Sequence, residues 1–478
     1  MGLHKVVVVV VLLLYNVLLR STNGAVNEVK LLQLQKKLLM ENPLDGWLFR
    51  DQYGSLPELL VDYRDVNKSV TFPSPSSSRV KNLVYKALNG FDVNLAVLGG
   101  SISAGATLYK EHNQNKVYFR VLEEFWNRVI TPVTGSQMIV QDNSIGAVGS
   151  DFFAYCLQNY VLGNATDLVI WELSANDYHR FDNRDVPPTL PLELLTRNIY
   201  RLEKKPLLIY THFFRGKDYV EEQQCNNLET EGAEYLSRYY WVPSVSWRKL
   251  ICKRLVTTPD YFKQVFSSDN SHPSLLGHAQ MGFLFLHLFR KLFLQVIDEL
   301  FPYEMQTSSL TLSLPPVIVE PLGKTVDTKS QMVSSDPLCF TFNIPSSGNL
   351  PYNKKDIVEI TRNDGYTIST AHGFTQRKDR TEGMRTREEN AELRLRIDVP
   401  RHTSGDPLKE WMVLIGSYSN FGGAVFFLDN TYSRIIETEK YSYGSIVAAV
   451  ATRVTPGRHE LVIKSLKKGF FLSSVMLG

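Results

Sequence analysis

The sequence predicts a parallel α/β sheet flanked by helices, followed by a C-terminal all-β sandwich. Two observations carry this. Between about residues 82 and 300, short apolar runs alternate with longer amphipathic ones. A strand that is apolar throughout has no face to spare for water, so helices must cover both of its sides. From residue 337 onward the texture changes to short alternating runs separated by Gly, Asn, Asp and Pro turn signals, the pattern of antiparallel sheets packed face to face. A chain of 478 residues with 44% apolar content can build two or three cores.

Taken in order, the chain opens with a targeting signal. His4 and Lys5 precede Val6–Leu19, apolar except for Asn16, and Arg20-Ser21-Thr22-Asn23-Gly24-Ala25 follows. A basic start, a short apolar stretch and small residues define a secretory signal peptide, here residues 1–24. The stretch is shorter than the roughly 20 residues that span a bilayer comfortably, so a retained signal anchor is the alternative. The expected location is secreted or within the secretory pathway, extracellular or Golgi lumen, with membrane contact only if the segment is uncleaved. Residues 25–80 read as an N-terminal extension and linker ending in Phe72-Pro73-Ser74-Pro75-Ser76-Ser77-Ser78.

Residues 81–302 form the predicted α/β domain. Its candidate strands are Val93–Leu98, Met138–Gln141, Leu168–Leu173 and Leu207–Tyr210. Helices are expected near Val117–Ile130, Asp151–Leu162, Leu190–Leu202 and Glu231–Tyr240. The apolar run Leu275–Leu300 is interrupted by His278, His287, Arg290 and Lys291 and reads as a buried helix. A Pro-rich linker, 303–336, contains Leu314-Pro315-Pro316 and Glu320-Pro321. The β domain, 337–478, carries runs at Cys339–Asn343, Ala391–Ile397, Trp411–Gly416, Ala424–Leu428, Ile446–Val454 and Glu460–Ile463.

Charge and cysteine usage narrow the function. With 52 basic and 49 acidic side chains the net charge is +3, too balanced for a nucleic-acid or strongly acidic partner, and no basic cluster interleaves with aromatics. Four cysteines, Cys156, Cys225, Cys252 and Cys339, allow three pairings in an oxidising compartment. No two have metal-ligand spacing, so neither a metal nor another cofactor is expected. The sequons Asn67-Lys68-Ser69 and Asn164-Ala165-Thr166 are compatible with a secreted route.

Four short blocks carry chemistry. Leu95-Ala96-Val97-Leu98 runs into Gly99-Gly100-Ser101-Ile102-Ser103, where two glycines let the chain turn sharply and present Ser101 at the carboxyl end of a strand. Asn143-Ser144-Ile145-Gly146-Ala147-Val148-Gly149-Ser150 offers backbone N–H groups between a strand and a helix. Trp171-Glu172-Leu173-Ser174-Ala175-Asn176-Asp177 ends another strand and brings the Asn176 amide to the same rim as a donor for a developing oxyanion. Ser268-Asp269-Asn270-Ser271-His272-Pro273 places a carboxylate and an imidazole on one turn, where Asp269 orients the ring and His272 takes a serine proton. Each block alone is a common turn; their order is what points to acyl chemistry.

Together the four blocks resemble the SGNH (GDSL-like) hydrolase family over roughly residues 93–285. The resemblance implies a flavodoxin-like parallel sheet, Ser101 as nucleophile, Asp269 and His272 completing a triad, and Gly146 and Asn176 joining the Ser101 N–H in the oxyanion hole. Ala147 or Gly149 are alternatives to Gly146. The serine block departs from the usual Gly-Asp-Ser. An α/β-hydrolase elbow, Gly-x-Ser-x-Gly, fails at Ser103. Among other histidines, His179 and His212 are expected to contact substrate or pack loops and His278 to be structural, while Glu172 reads as a satisfied buried or edge carboxylate.

A secreted domain of this type joined to a β-sandwich resembles carbohydrate esterases that remove acetyl groups from glycans. The implied function is a serine esterase acting on carboxylic esters, with an ester-bearing small molecule or an acylated carbohydrate as its partner. An O-acetyltransferase on a secretory-pathway glycan and a non-catalytic surface binding module are the alternatives. Tyr418, Phe421, Tyr432, Tyr441 and Tyr443 are candidates for an exposed sugar platform on the β domain. On that view, removing residues 330–478 weakens binding to polymer but spares small esters.

Overall fold

The computed structural model describes residues 28–40, 59, 61–72, 78–108, 113–180, 188–258, 260–300, 337–343, 357–370, 382–401, 410–419, 421–440 and 444–478. The signal segment, the 303–336 linker, Tyr441 and Tyr443 lie outside them. The first domain is built on six strands: β1 (Val70–Thr71), β2 (Val93–Gly99), β3 (Met138–Asp142), β4 (Leu168–Glu172), β5 (Leu207–His212) and β6 (Ser244–Ser246). Their order is β1-β6-β5-β4-β2-β3. All neighbours are parallel except β1, which pairs antiparallel to β6. Among the parallel strands, chain order reverses between β2 and β4, the flavodoxin-like arrangement whose switch point opens a crevice beyond the strand ends.

The helices cover both faces. α1 (Glu28–Met40), α2 (Tyr63–Lys68), α3 (Ser78–Leu88) and α4 (Tyr118–Phe125) precede β3. α5 (Ser150–Tyr160), α6 (Ser174–Arg180), α7 (Leu190–Arg201), α8 (Trp247–Thr257) and α9 (Leu275–Leu300) follow it. Every residue of β4 and β5 is buried, which is why these strands read as mostly apolar runs. On one face α1, α3, α4, α8 and α9 share a core with the sheet. α9 is long and apolar enough to cross a membrane by length and composition, yet most of it is buried inside the domain. α1 contributes Leu31, Leu34 and Leu38 to the same core, and β1 extends the sheet.

On the other face, α5 and α7 pack against the sheet together with Met412, Leu414, Val447 and Met476 of the C-terminal domain. That domain contains β7 (Leu338–Thr341), β8 (Val358–Asp364), β9 (Tyr366–Thr370), β10 (Glu382–Thr386), β11 (Glu392–Val399) and β12 (Trp411–Tyr418). It continues through β13 (Gly423–Leu428), β14 (Thr431–Glu437), β15 (Ser445–Val454), β16 (Gly457–Ser465), β17 (Phe471–Leu472) and β18 (Ser474–Leu477). They form antiparallel sheets in the orders β17-β10-β9, β14-β13-β16-β11-β8 and β15-β12-β18-β7. Leu393, Leu395 and Ile397 alternate with half-buried residues along β11 and meet Val413 and Ile415 in the sandwich core.

The two domains share more than a linker. Cys156 on α5 is disulfide-bonded to Cys339 on β7. Asn159 Nδ2 donates to the Cys339 carbonyl (3.2 Å) and the Tyr160 hydroxyl donates to the Asn343 carbonyl (3.0 Å). Cys225 and Cys252 form the second disulfide. Of the three connectivities open to the sequence, the structure adopts the one with a bond inside the α/β domain and a bond across the interface.

Candidate functional site

Ser101 leaves the end of β2 directly into a tight turn, closed by Ala104 N–H donating to the Gly100 carbonyl (3.1 Å) and Ala106 N–H to that of Ser101 (3.0 Å). The two preceding glycines serve a purpose different from the sharp turn expected of them. Neither has a positive φ; what each lacks is a Cβ, and that makes room. A Cβ on Gly99 would lie 2.3 Å from Ser103 Oγ, and one on Gly100 would lie 2.5 Å from Asn176 Nδ2. Both separations are far inside van der Waals contact, so the glycines bring three chain segments together.

Asp269 and His272 form one hydrogen-bonded turn. Asp269 Oδ1 accepts from the backbone N–H of Ser271 (2.9 Å) and of His272 (3.0 Å) and from Ser267 Oγ (2.8 Å). Asp269 Oδ2 faces His272 Nδ1 at 2.6 Å, and His272 Nε2 lies 2.8 Å from Ser101 Oγ. Partial burial alone would raise the Asp269 pKa. The hydrogen bond and charge of the His272 ring and the two backbone N–H groups outweigh it and hold the carboxyl well below its usual range. An ionised carboxylate only accepts, so Nδ1 carries the imidazole proton and Nε2 is left to accept from the serine hydroxyl. The turn is braced from the segment that follows β5: Gly216 N–H donates to the Ser271 carbonyl (3.3 Å).

Register explains why Asn176 arrives at the same place. Gly99 pairs with Glu172 across β2 and β4, so the segments that follow, 100–103 and 173–176, emerge side by side at the switch point. Asn176, on α6, donates its Nδ2–H to the Val148 carbonyl (2.7 Å). The Gly146 block lies alongside, because Asn143 N–H donates to the Val97 carbonyl and Ile145 N–H to that of Gly99. At its far end Ser150 donates its N–H and hydroxyl to Asp177 and accepts from Trp171 Nε1. The structure thus brings Ser101, Gly146, Asn176, Asp269 and His272 to one rim.

The remaining candidates differ in burial and surroundings. His212 is fully buried, with Nδ1 3.3 Å from Ser174 Oγ. Burial foremost, with Lys249 and Arg248, lowers its pKa to about 4. His278 is buried and stacked on Tyr118, and burial lowers its pKa to about 3. The His179 side chain lies outside the described residues. Of the aromatic platform candidates, Tyr418 is buried, Phe421 half-buried and Tyr432 exposed. Among the described residues, no three His, Cys, Asp or Glu side chains are grouped to hold a metal.

Of two supporting features, the sequence anticipates the buried, satisfied carboxylate of Glu172 but not the contact at Ala147. Glu172 is wholly buried beneath the serine turn and accepts from Ser103 N–H (3.2 Å) and Ser103 Oγ (2.7 Å), while Ser103 Oγ also meets the Tyr118 hydroxyl at 2.9 Å. Burial dominates over those hydrogen bonds and raises the Glu172 pKa to about 8. A charge placed at the end of an otherwise apolar strand was the sequence signal for it. Ala147 has φ +62°, and its carbonyl accepts from Ser445 N–H (2.9 Å) of the sandwich. Nothing local in the sequence announces that contact.

No family model and no curated protein matches the chain. Among solved structures it is similar to a two-domain esterase active on acetylated mannans. The two chains are 17% identical with a TM-score of 0.57, over 87% of this chain and 98% of that one. The same esterase co-crystallised with mannopentaose gives 17% identity and a TM-score of 0.55, over 84% of this chain and 94% of that one. At this identity the likeness establishes a shared fold: a parallel α/β sheet flanked by helices, joined to a C-terminal all-β domain.

Proposed function

We propose that the chain is a serine esterase of the SGNH type that removes O-acyl groups, chiefly O-acetyl, from a glycan. The observation that carries this is the unbroken hydrogen-bonded chain Ser101–His272–Asp269 at the switch point of the sheet, with Asn176 beside it. Ser101 Oγ attacks the ester carbonyl while His272 Nε2 takes its proton, and Asp269 stabilises the resulting imidazolium. The tetrahedral oxyanion is held by the Ser101 N–H, the Asn176 amide and a backbone N–H of the Gly146 block. His272 then returns the proton to the leaving sugar alcohol. Water, deprotonated by the same imidazole, releases the acyl group and regenerates Ser101.

The likeness to an esterase active on acetylated mannans supports the glycan ester as substrate, and that protein's two-domain plan matches this one. The two disulfides support a secretory route, since such bonds persist in oxidising compartments. Acetate release from acetylated mannan and from a small acetyl ester tests the proposal. The wild-type protein releases acetate from both, and Ser101→Ala releases it from neither. Release that survives in Ser101→Ala overturns it.

A further inference from the structure

We propose that the C-terminal sandwich belongs to the catalytic apparatus because it clamps the oxyanion loop through Ala147. This rests on the acyl-transfer reading above. The loop between β3 and α5 is anchored at both ends: Ile145 N–H bonds the Gly99 carbonyl at the front, and Asp177 with Trp171 holds Ser150 at the rear. Between the anchors, Ala147 sits at φ +62°, a left-handed conformation that a residue with a Cβ adopts at a cost. It persists only where the surroundings hold it.

Those surroundings come from two sides. From the α/β domain, Asn176 Nδ2 binds the Val148 carbonyl. From the sandwich, Ser445 N–H, at the start of β15, binds the Ala147 carbonyl. The Ala147 methyl packs into an apolar cluster made by Tyr418, Phe421 and Phe471. A trans peptide is planar, with its N–H opposed to its C=O. Fixing the Ala147 carbonyl on Ser445 therefore directs the Val148 N–H away from the sandwich. Fixing the Val148 carbonyl on Asn176 likewise sets the Gly149 N–H. A flip of the Ala147–Val148 peptide, which would reverse the Val148 N–H and displace the backbone that carries the Gly146 and Ala147 N–H groups, must break the bond to Ser445. The Cys156–Cys339 disulfide keeps the sandwich in place while the clamp is altered. On this view the second domain acts on small esters as well as on polymer.

The test is steady-state hydrolysis of p-nitrophenyl acetate by the full chain with its disulfides intact. Ser445→Pro deletes the donor at the first position of a strand, where proline is tolerated. Phe421→Ala opens the cluster from its half-buried side, and Ala147→Gly frees the backbone while relieving the left-handed strain. Each is expected to lower kcat about tenfold or more with KM within about twofold. Affinity for a boronic acid, whose tetrahedral adduct on Ser101 places an oxygen in the hole, should fall in parallel. Ile368→Ala, exposed on β9, leaves kcat unchanged. The loss from Ser445→Pro should shrink in an Asn176→Ala background, because both bonds hold one loop. Folded variants with wild-type kcat and boronate affinity overturn the clamp. A wild-type protein that neither hydrolyses the ester nor binds the boronate overturns the esterase reading, and the clamp with it.

Discussion

Replacing Glu172 by Gln should make the protein more stable, and increasingly so as pH rises from about 5 to 8. Glu172 is wholly buried, and burial raises its pKa from 4.5 to about 8. Below pH 4.5 the folded and unfolded chains both keep the proton, and the folded state bears no penalty. Between 4.5 and about 8 the unfolded chain releases the proton while the folded one retains it, so stability falls with pH; above about 8 the loss is complete. At about 1.4 kcal/mol for each pH unit, the whole loss is roughly 5 kcal/mol. Gln keeps an acceptor for Ser103 N–H and Oγ without the charge. The assay is urea unfolding of both proteins, disulfides intact, at pH 5, 6, 7 and 8. His212, His278 and His287, whose pKa values burial lowers to about 4, 3 and 4, gain stability as pH rises towards 6.5 in both proteins and cancel in the difference. The Gln variant should gain little at pH 5 and several kcal/mol by pH 8. A difference that does not change with pH would refute the assignment of the raised pKa to Glu172.

Removing the Asn176 amide by Asn176→Ala should lower kcat on a small acetyl ester by about 10²–10³, the usual cost of one oxyanion donor, with a smaller effect on KM. A drop confined to KM would show that Asn176 binds substrate instead. The double variant Cys156→Ser with Cys339→Ser should lose about 2–5 kcal/mol of stability, typical of a native disulfide closing a long loop. Chemical denaturation under non-reducing conditions measures it.

How much of this was legible depended on whether the cause was local. β2, β4 and β5 announced themselves because burial on both faces leaves mostly apolar runs, interrupted only at Asn94 and at their ends. β6, Ser244-Val245-Ser246, gave no such signal. Its serines are buried by pairing and capping, with Ser246 Oγ bonded to Glu229, and neither is an apolar burial. The Asp269–His272 turn was readable because three residues suffice to bring carboxylate and ring together. The role of Gly99 and Gly100 was not, since the atoms they make room for belong to Ser103 and Asn176 and are placed by the sheet register. The Ala147–Ser445 bond joins residues from different domains, far apart in the sequence. No motif in either segment encodes it.

The claim on which the rest depends is that Ser101 is an activated nucleophile. Labelling the intact protein with a fluorophosphonate, followed by peptide mapping, tests it most directly. The predicted result is a single adduct on Ser101, absent from Ser101→Ala and strongly reduced in His272→Ala. A folded wild-type protein that takes up no label, or takes it up at another residue, would contradict it.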